Sequence, residues 1–151
     1  MKHMLNTSDE ILGRLLHTSA KLFKKLLSEN LHTAGFDIAV EEAITMGILY
    51  TEEGLSQQGI INIINCEKTA MTRIIDKLEE SKLVKRIPDK EDRRQNKIFL
   101  TKPGKSLVRK IFEVAKKTEK QAFSDIPADR IKLLKETLID VRANLFSIVD
   151  N

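Results

Sequence analysis

With one cysteine, Cys66, the chain cannot build an internal disulfide framework, and it suits a reducing compartment. Three prolines and six glycines in 151 residues leave few enforced breaks, as in a helical protein with short connections. No uninterrupted apolar run approaches the roughly 18 to 20 residues that span a bilayer, and the N-terminus lacks the apolar core of a signal peptide. A cytoplasmic location with no membrane partner is therefore expected. His3, His17 and His32 are scattered, with no His or Cys at metal-ligand spacing around them. No convergent nucleophile and base and no Gly-rich phosphate motif can be found, so neither an enzyme, nor a metal, nor another cofactor is expected. His17 lies near the apolar edge of the first helix and is expected to pack there.

What remains is a chain long enough for one domain with a real core, 41% hydrophobic and 32% charged. Its net charge of +4 and pI near 9.2 favour an anionic partner only mildly. Where the charge lies is more informative. In Glu67 to Leu83 the apolar residues Met71, Ile74, Ile75 and Leu78 follow i, i+3, i+4, i+7 spacing, one stripe of an amphipathic helix. The opposite stripe starts with cations and hydroxyls, Lys68, Thr69, Thr72 and Arg73, and ends with Asp76, Glu79 and Glu80. Phosphates would be repelled by the acidic end, so the N-terminal end is the one suited to a DNA groove.

Downstream, Leu83 to Ile87 and Lys97 to Thr101 are short β-prone runs separated by the polar loop PDKEDRRQN, which predicts an antiparallel hairpin. From Lys85 to Lys97 six basic residues face three acidic ones. Upstream, Leu55 to Asn65 predicts a short helix with Ile60, Ile61, Ile63 and Ile64 inward. Asn65 to Glu67 forms the turn, as a helix-turn-helix requires. Ser56 is a cap whose reciprocal partner position is Gly59, so only half of a capping box is available.

These elements resemble the signature region of the MarR (multiple antibiotic resistance regulator) family of bacterial transcription factors. They are Leu78-Glu79 ending a helix, the apolar-basic strand Leu83 to Arg86, Asp92-Arg93-Arg94, and Leu100-Thr101-Lys102-Pro103-Gly104. The chain departs from that pattern where the family often has Gly between recognition helix and wing; here Ser81-Lys82 stand. The resemblance implies a mainly α fold: a winged helix-turn-helix with long N- and C-terminal dimerisation helices and a short β-hairpin wing. Residues 1–36 and 105–151 would form the dimerisation helices and residues 37–104 the DNA-binding lobe of a single domain.

On this reading Lys68, Thr69, Ala70, Thr72 and Arg73 enter a major groove of double-stranded DNA, where Arg suits guanine and the Ala70 methyl suits thymine. Arg93 and Arg94 follow the backbone or the adjoining minor groove, with Lys97 beside them. The resemblance further implies that Asp92 orients a wing arginine by a salt bridge. It also implies a repressor that responds to a small aromatic or amphipathic effector, for which Phe23, Met46 and Phe112 are candidate pocket residues, although ordinary core is the simpler role for each. The alternative is a winged-helix module that binds another protein.

The remaining helices fit a homodimer. One from Thr7 or Ser8 to Asn30, capped by Ser8, carries a wide apolar stripe. A second, Val40 to Tyr50, carries Ile44, Ile48 and Leu49. A third follows Gly104 with Leu107, Ile111, Ala115, Thr118 and Ala122 in line, and the last follows Pro127. Its Ile131, Leu134, Leu138, Val141, Leu145 and Ile148 are spaced 3, 4, 3, 4, 3, a heptad seam. Cys66 stands at a helix N-terminus, where a thiol can be activated toward oxidants. The family's peroxide-sensing cysteine lies in the first helix, however, so a small buried turn residue is the favoured role.

Overall fold

The structure, a computed structural model, describes residues 11–149. Along these, the elements are α1 (Leu12–Thr33), α2 (Val40–Thr51), β1 (Leu55–Ser56), α3 (Gln57–Ile64), α4 (Lys68–Glu80), β2 (Val84–Pro88), β3 (Asn96–Leu100), α5 (Lys102–Ala122) and α6 (Ala128–Val149). The fold is thus mainly helical with one small antiparallel sheet, in the order β1-β3-β2. The expected Ser8 cap lies outside the described residues. The chain forms two compact units, one up to Thr118 and one from Glu119 onward.

The core of the first unit gathers one stripe from each helix. Leu27 and Leu31 come from α1, and Val40, Ala43, Met46 and Leu49 from α2. Ile60 comes from α3, Met71, Ile75 and Leu78 from α4, and Val108 and Ile111 from α5. Val84, Ile98 and Leu100 close it from the sheet. Removing one such side chain to Ala costs about 2 to 5 kcal/mol, so this stripe of α4 anchors whatever its outer face does.

Several expectations need correction. Leu55 and Ser56 are not helical: β1 pairs with β3 in the register Leu55 to Ile98 and Ser56 to Lys97, which covers one edge of the hairpin. An N-cap residue must be extended, and Ser56 is (φ −71°, ψ 161°), with its hydroxyl accepting from the Gly59 amide at 3.1 Å. An eight-residue helix also presents one face only, so Ile60 is buried while Ile63 is exposed. Ile44 of α2 is exposed too, because that helix turns Val40, Ala43, Met46 and Leu49 inward instead. On α5 the buried line runs through Gly104, Val108, Ile111 and Thr118, and Ala122 is exposed. His17 is exposed rather than packed. Helix α1 extends to Thr33, three residues past the expected end.

Glycine has a specific reason at position 104. A Cβ there would lie 2.0 Å from the Leu83 carbonyl oxygen. That oxygen accepts the Thr101 amide at 3.0 Å, and the Thr101 hydroxyl accepts from the Gly104 amide at 3.1 Å, capping α5 against the start of β2. The Leu-Thr-x-x-Gly segment is therefore a packing device that ties helix α5 to the wing.

The exposed apolar residues concentrate on the terminal helices, taken each by itself. Leu12, Leu15, Leu16 and Leu22 are exposed on α1. Helix α6 has no buried residue, and Leu134, Leu138, Leu145 and Ile148 of the predicted seam are exposed.

Candidate nucleic-acid interface

Helix α4 is set by its start. Asn65 adopts the left-handed conformation (φ 55°), and Glu67 is extended before the first helical residue. With Met71, Ile75 and Leu78 buried, Lys68, Thr69, Ala70 and Arg73 are exposed and Thr72 is half-buried. Cys66, in the turn, is a half-buried free thiol packed against the core.

Two charged contacts fix this helix. Lys77 lies 2.7 Å from the nearly buried Glu42 of α2, whose carboxylate also accepts the Ala39 amide at 3.2 Å. The hydrogen bond that Lys77 donates to Glu42, followed by the charge of that carboxylate, raises the Lys77 pKa. On the other side, Arg86 of β2 reaches Asp76 at 2.5 Å and pairs with Glu79. Burial works against the Arg86 charge, but the hydrogen bonds and charges of Asp76 and Glu79 outweigh it and raise the pKa. Arg86 had no assigned role in the sequence reading. The acidic end of α4 signalled it, since carboxylates beside a basic strand ask for a partner. Those carboxylates do not merely avoid phosphate; two of them hold the wing strand.

The wing pairs β2 with β3 in the register Val84 to Leu100 through Pro88 to Asn96, one residue offset from the expected runs. Its loop is built by two aspartates. Asp89 accepts the Glu91 amide at 3.0 Å and meets Lys97 at 3.2 Å. These interactions, the backbone amide of Glu91 first, hold its carboxyl below the ordinary aspartate value against the opposing effect of burial. Asp92 accepts the Arg94 amide at 3.0 Å and the Gln95 side-chain amide at 3.1 Å.

Two expectations about the wing change accordingly. Among the described residues Asp92 forms no ion pair with Arg93 or Arg94; it orients Arg94 through that residue's backbone, because an Asx turn brings the carboxylate onto its own chain two residues on. Lys97 is half-buried and its charge is engaged by Asp89, whereas Arg93 and Arg94 are exposed.

An open cleft of about 680 Å³ lies between α3, the N-terminal half of α4 and the wing. It brings together Lys68, Thr72 and Arg94 of the expected set. It adds Gln57, Gln58 and Asn62 from α3. Their signal in the sequence was an amide-rich helix start, read there only for its capping. Gln57 donates to the Thr72 hydroxyl at 2.6 Å, and Gln58 donates to Asn62 at 2.8 Å. Thr69, Ala70, Arg73 and Arg93 are exposed and are not among its lining residues. The candidate effector residues are core: Met46 is fully buried, and Phe23 and Phe112 pack against the cluster, Phe112 edge-on to Tyr50. No helix among the described residues is long and apolar enough to cross a membrane.

Comparison with known proteins agrees with this geometry. The MarR family model matches residues 42–95, from α2 into the wing loop. YybA of Bacillus subtilis, described as an uncharacterised HTH-type transcriptional regulator, is 22% identical over 116 residues, 77% of each chain. Among solved structures, a mutant of E. coli MarR complexed with operator DNA superposes with a TM-score of 0.78 at 22% identity, over 86% of this chain and 92% of that one. BpsR of Bordetella bronchiseptica, whose DNA binding is regulated by 6-hydroxynicotinic acid, gives 0.81 at 16% identity, over 91% and 96%. The fold is that of these regulators, and the MarR family model spans the helix-turn-helix that forms the cleft, so this segment of the chain is similar to the winged helix-turn-helix regulators of that family.

Proposed function

We propose that this protein binds double-stranded DNA sequence-specifically and acts in the bacterial cytoplasm as a homodimeric, ligand-responsive repressor on a pseudo-palindromic operator. The observation that carries the reading is the cleft, where the cationic start of α4 and the wing arginine Arg94 face one space. In the reading, Lys68, Thr69, Ala70, Thr72 and Arg73 meet base edges. Arg93 and Arg94 contact the backbone or minor groove, Asp92 shapes the wing, and Lys97 contributes in second place because Asp89 already engages it. The operator complex of the E. coli MarR mutant supports DNA as the partner.

Residues 1–36 and 105–151 are proposed as dimerisation helices around a lobe of residues 37–104. The exposed leucines of α1 and the uncovered heptad of α6 support this, since apolar stripes of that length are stable in water when a twin covers them. Two-fold symmetry then sets half-sites about 10 base pairs apart or a multiple of it. A small aromatic or amphipathic effector is proposed by analogy with BpsR. A protein-binding winged helix is not favoured, because hydroxyls, amides and cations line the cleft.

Selection of genomic fragments on the purified protein, followed by gel shifts of the recovered sites, tests the reading. Recurrent palindromic sites are expected. Neutralising roughly six to ten phosphates would lower affinity by about 10³ to 10⁵ between 50 and 200 mM salt. Fragments recovered at random with a flat salt profile would overturn it.

A further inference from the structure

Thr72 stands in the DNA-facing cleft with its hydroxyl already engaged. The hydroxyl donates its proton to the Lys68 carbonyl at 3.0 Å and accepts from the Gln57 side-chain amide at 2.6 Å. A threonine has one hydroxyl proton, so no donor remains for a base edge. Gln57 occupies one lone pair from the side of α3, which makes the arrangement a bridge between the two helices of the helix-turn-helix. What the side chain has left to offer is one hydroxyl lone pair, which can only accept, and its methyl group. In the major groove the apolar feature that distinguishes one base from the others is the 5-methyl of thymine.

We propose that Thr72 reads a thymine through its methyl, not a base through its hydroxyl, and that Gln57 is the positioning residue that holds it so. The inference rests on the reading of α4 as the DNA-recognition helix. It is distinct from the role of Ala70, which lies two residues earlier on the exposed face and would read a different base step.

Operator duplexes in which deoxyuridine replaces thymine one position at a time isolate the effect, since the substitution removes that methyl and leaves the hydrogen-bonding edges intact. Wild-type protein is expected to lose about fourfold in affinity at one position per half-site, the effect of one buried methyl group. Thr72→Ser, which keeps the hydroxyl, should bind the thymine operator about fourfold more weakly and become indifferent to deoxyuridine there. Thr72→Val, which keeps the methyl but releases Gln57, should still bind the thymine duplex more tightly than the deoxyuridine duplex.

If Thr72→Val loses affinity while Thr72→Ser keeps it, the hydroxyl is the reader and the proposal fails. It also fails if every deoxyuridine duplex binds as the parent does, or if Thr72→Ser discriminates as the wild type does. Absence of any operator binding by the folded wild-type protein would instead remove the DNA-binding reading itself. Urea melts of both variants verify that they are folded.

Discussion

Arg86 donates to Glu79 from two places, its backbone amide at 3.2 Å and its guanidinium, and the same guanidinium reaches Asp76. One arginine thereby joins the wing strand to the last two turns of α4. Its side chain is about a quarter exposed (23%), so water screens the pairs only in part. Arg86→Ala is expected to destabilise the fold by about 1 to 2 kcal/mol and to weaken operator binding beyond the stability loss, because two carboxylates are then left uncompensated between α4 and the wing strand. Urea melts and fluorescence anisotropy measure the two effects. Glu79→Gln in the Arg86→Ala background should recover part of the binding. No recovery would mean that the acidic groups do not influence DNA.

Lys82 holds a left-handed conformation (φ 58°) at the end of α4, where its amide bonds the Glu79 carbonyl and the Leu83 amide bonds the Leu78 carbonyl. This is a Schellman ending built without glycine. Helix α1 ends the same way on Gly35 (φ 83°). Lys82→Gly should therefore stabilise the protein by about 1 kcal/mol, read as a higher urea midpoint. A lower midpoint would show that the Lys82 side chain contributes more than its backbone strain costs.

Gly104→Ala places a methyl against the Leu83 carbonyl and should cost about 1 to 3 kcal/mol. Gly13→Ala is the control, since nothing lies within 4 Å of a Cβ there and a helical alanine should gain about 1 kcal/mol. Thermal melts of the two variants should move in opposite directions; a neutral Gly104→Ala would mean that α5 shifts away from the wing without loss.

Asp89 gives the wing a pH dependence. Its folded pKa is lowered from 3.8, so the stability it contributes is complete above that value and is lost as pH falls through the lowered one. Amide exchange at Glu91, which donates to Asp89, should stay protected at pH 5 and open in strong acid. In Asp89→Asn that acid limb should disappear. A carboxyl titrating at or above 3.8 would contradict this assignment.

How much was legible beforehand depended on whether the signal was local. The α4 stripe, the hairpin and the Ser56 cap could be read because spacing and turn chemistry lie within a few residues. Strand β1 could not, since Leu55 and Ser56 are extended only because β3, some 40 residues later, offers an edge (Leu55 to Ile98). Arg86 was equally hidden: a basic residue in a basic hairpin looks like a DNA contact until its distance to Asp76 is known. The Asp92 salt bridge, inferred from the family resemblance, gave way to an Asx turn that any Asp-x-Arg run can form. In the cleft, Lys68, Thr72 and Arg94 were anticipated, while the amides of α3 needed the packing of α3 beside α4 to be seen.

Arg94 is the side chain on which the wing's placement on DNA rests most directly. Operator binding by the wild type and by Arg94→Ala, measured by fluorescence anisotropy at one fixed salt concentration, should differ by about 1 to 3 kcal/mol in favour of the wild type. Sedimentation should show the same oligomeric state for both. Equal affinities would contradict the placement of the wing on DNA, and so would a loss of binding accompanied by dissociation of the oligomer.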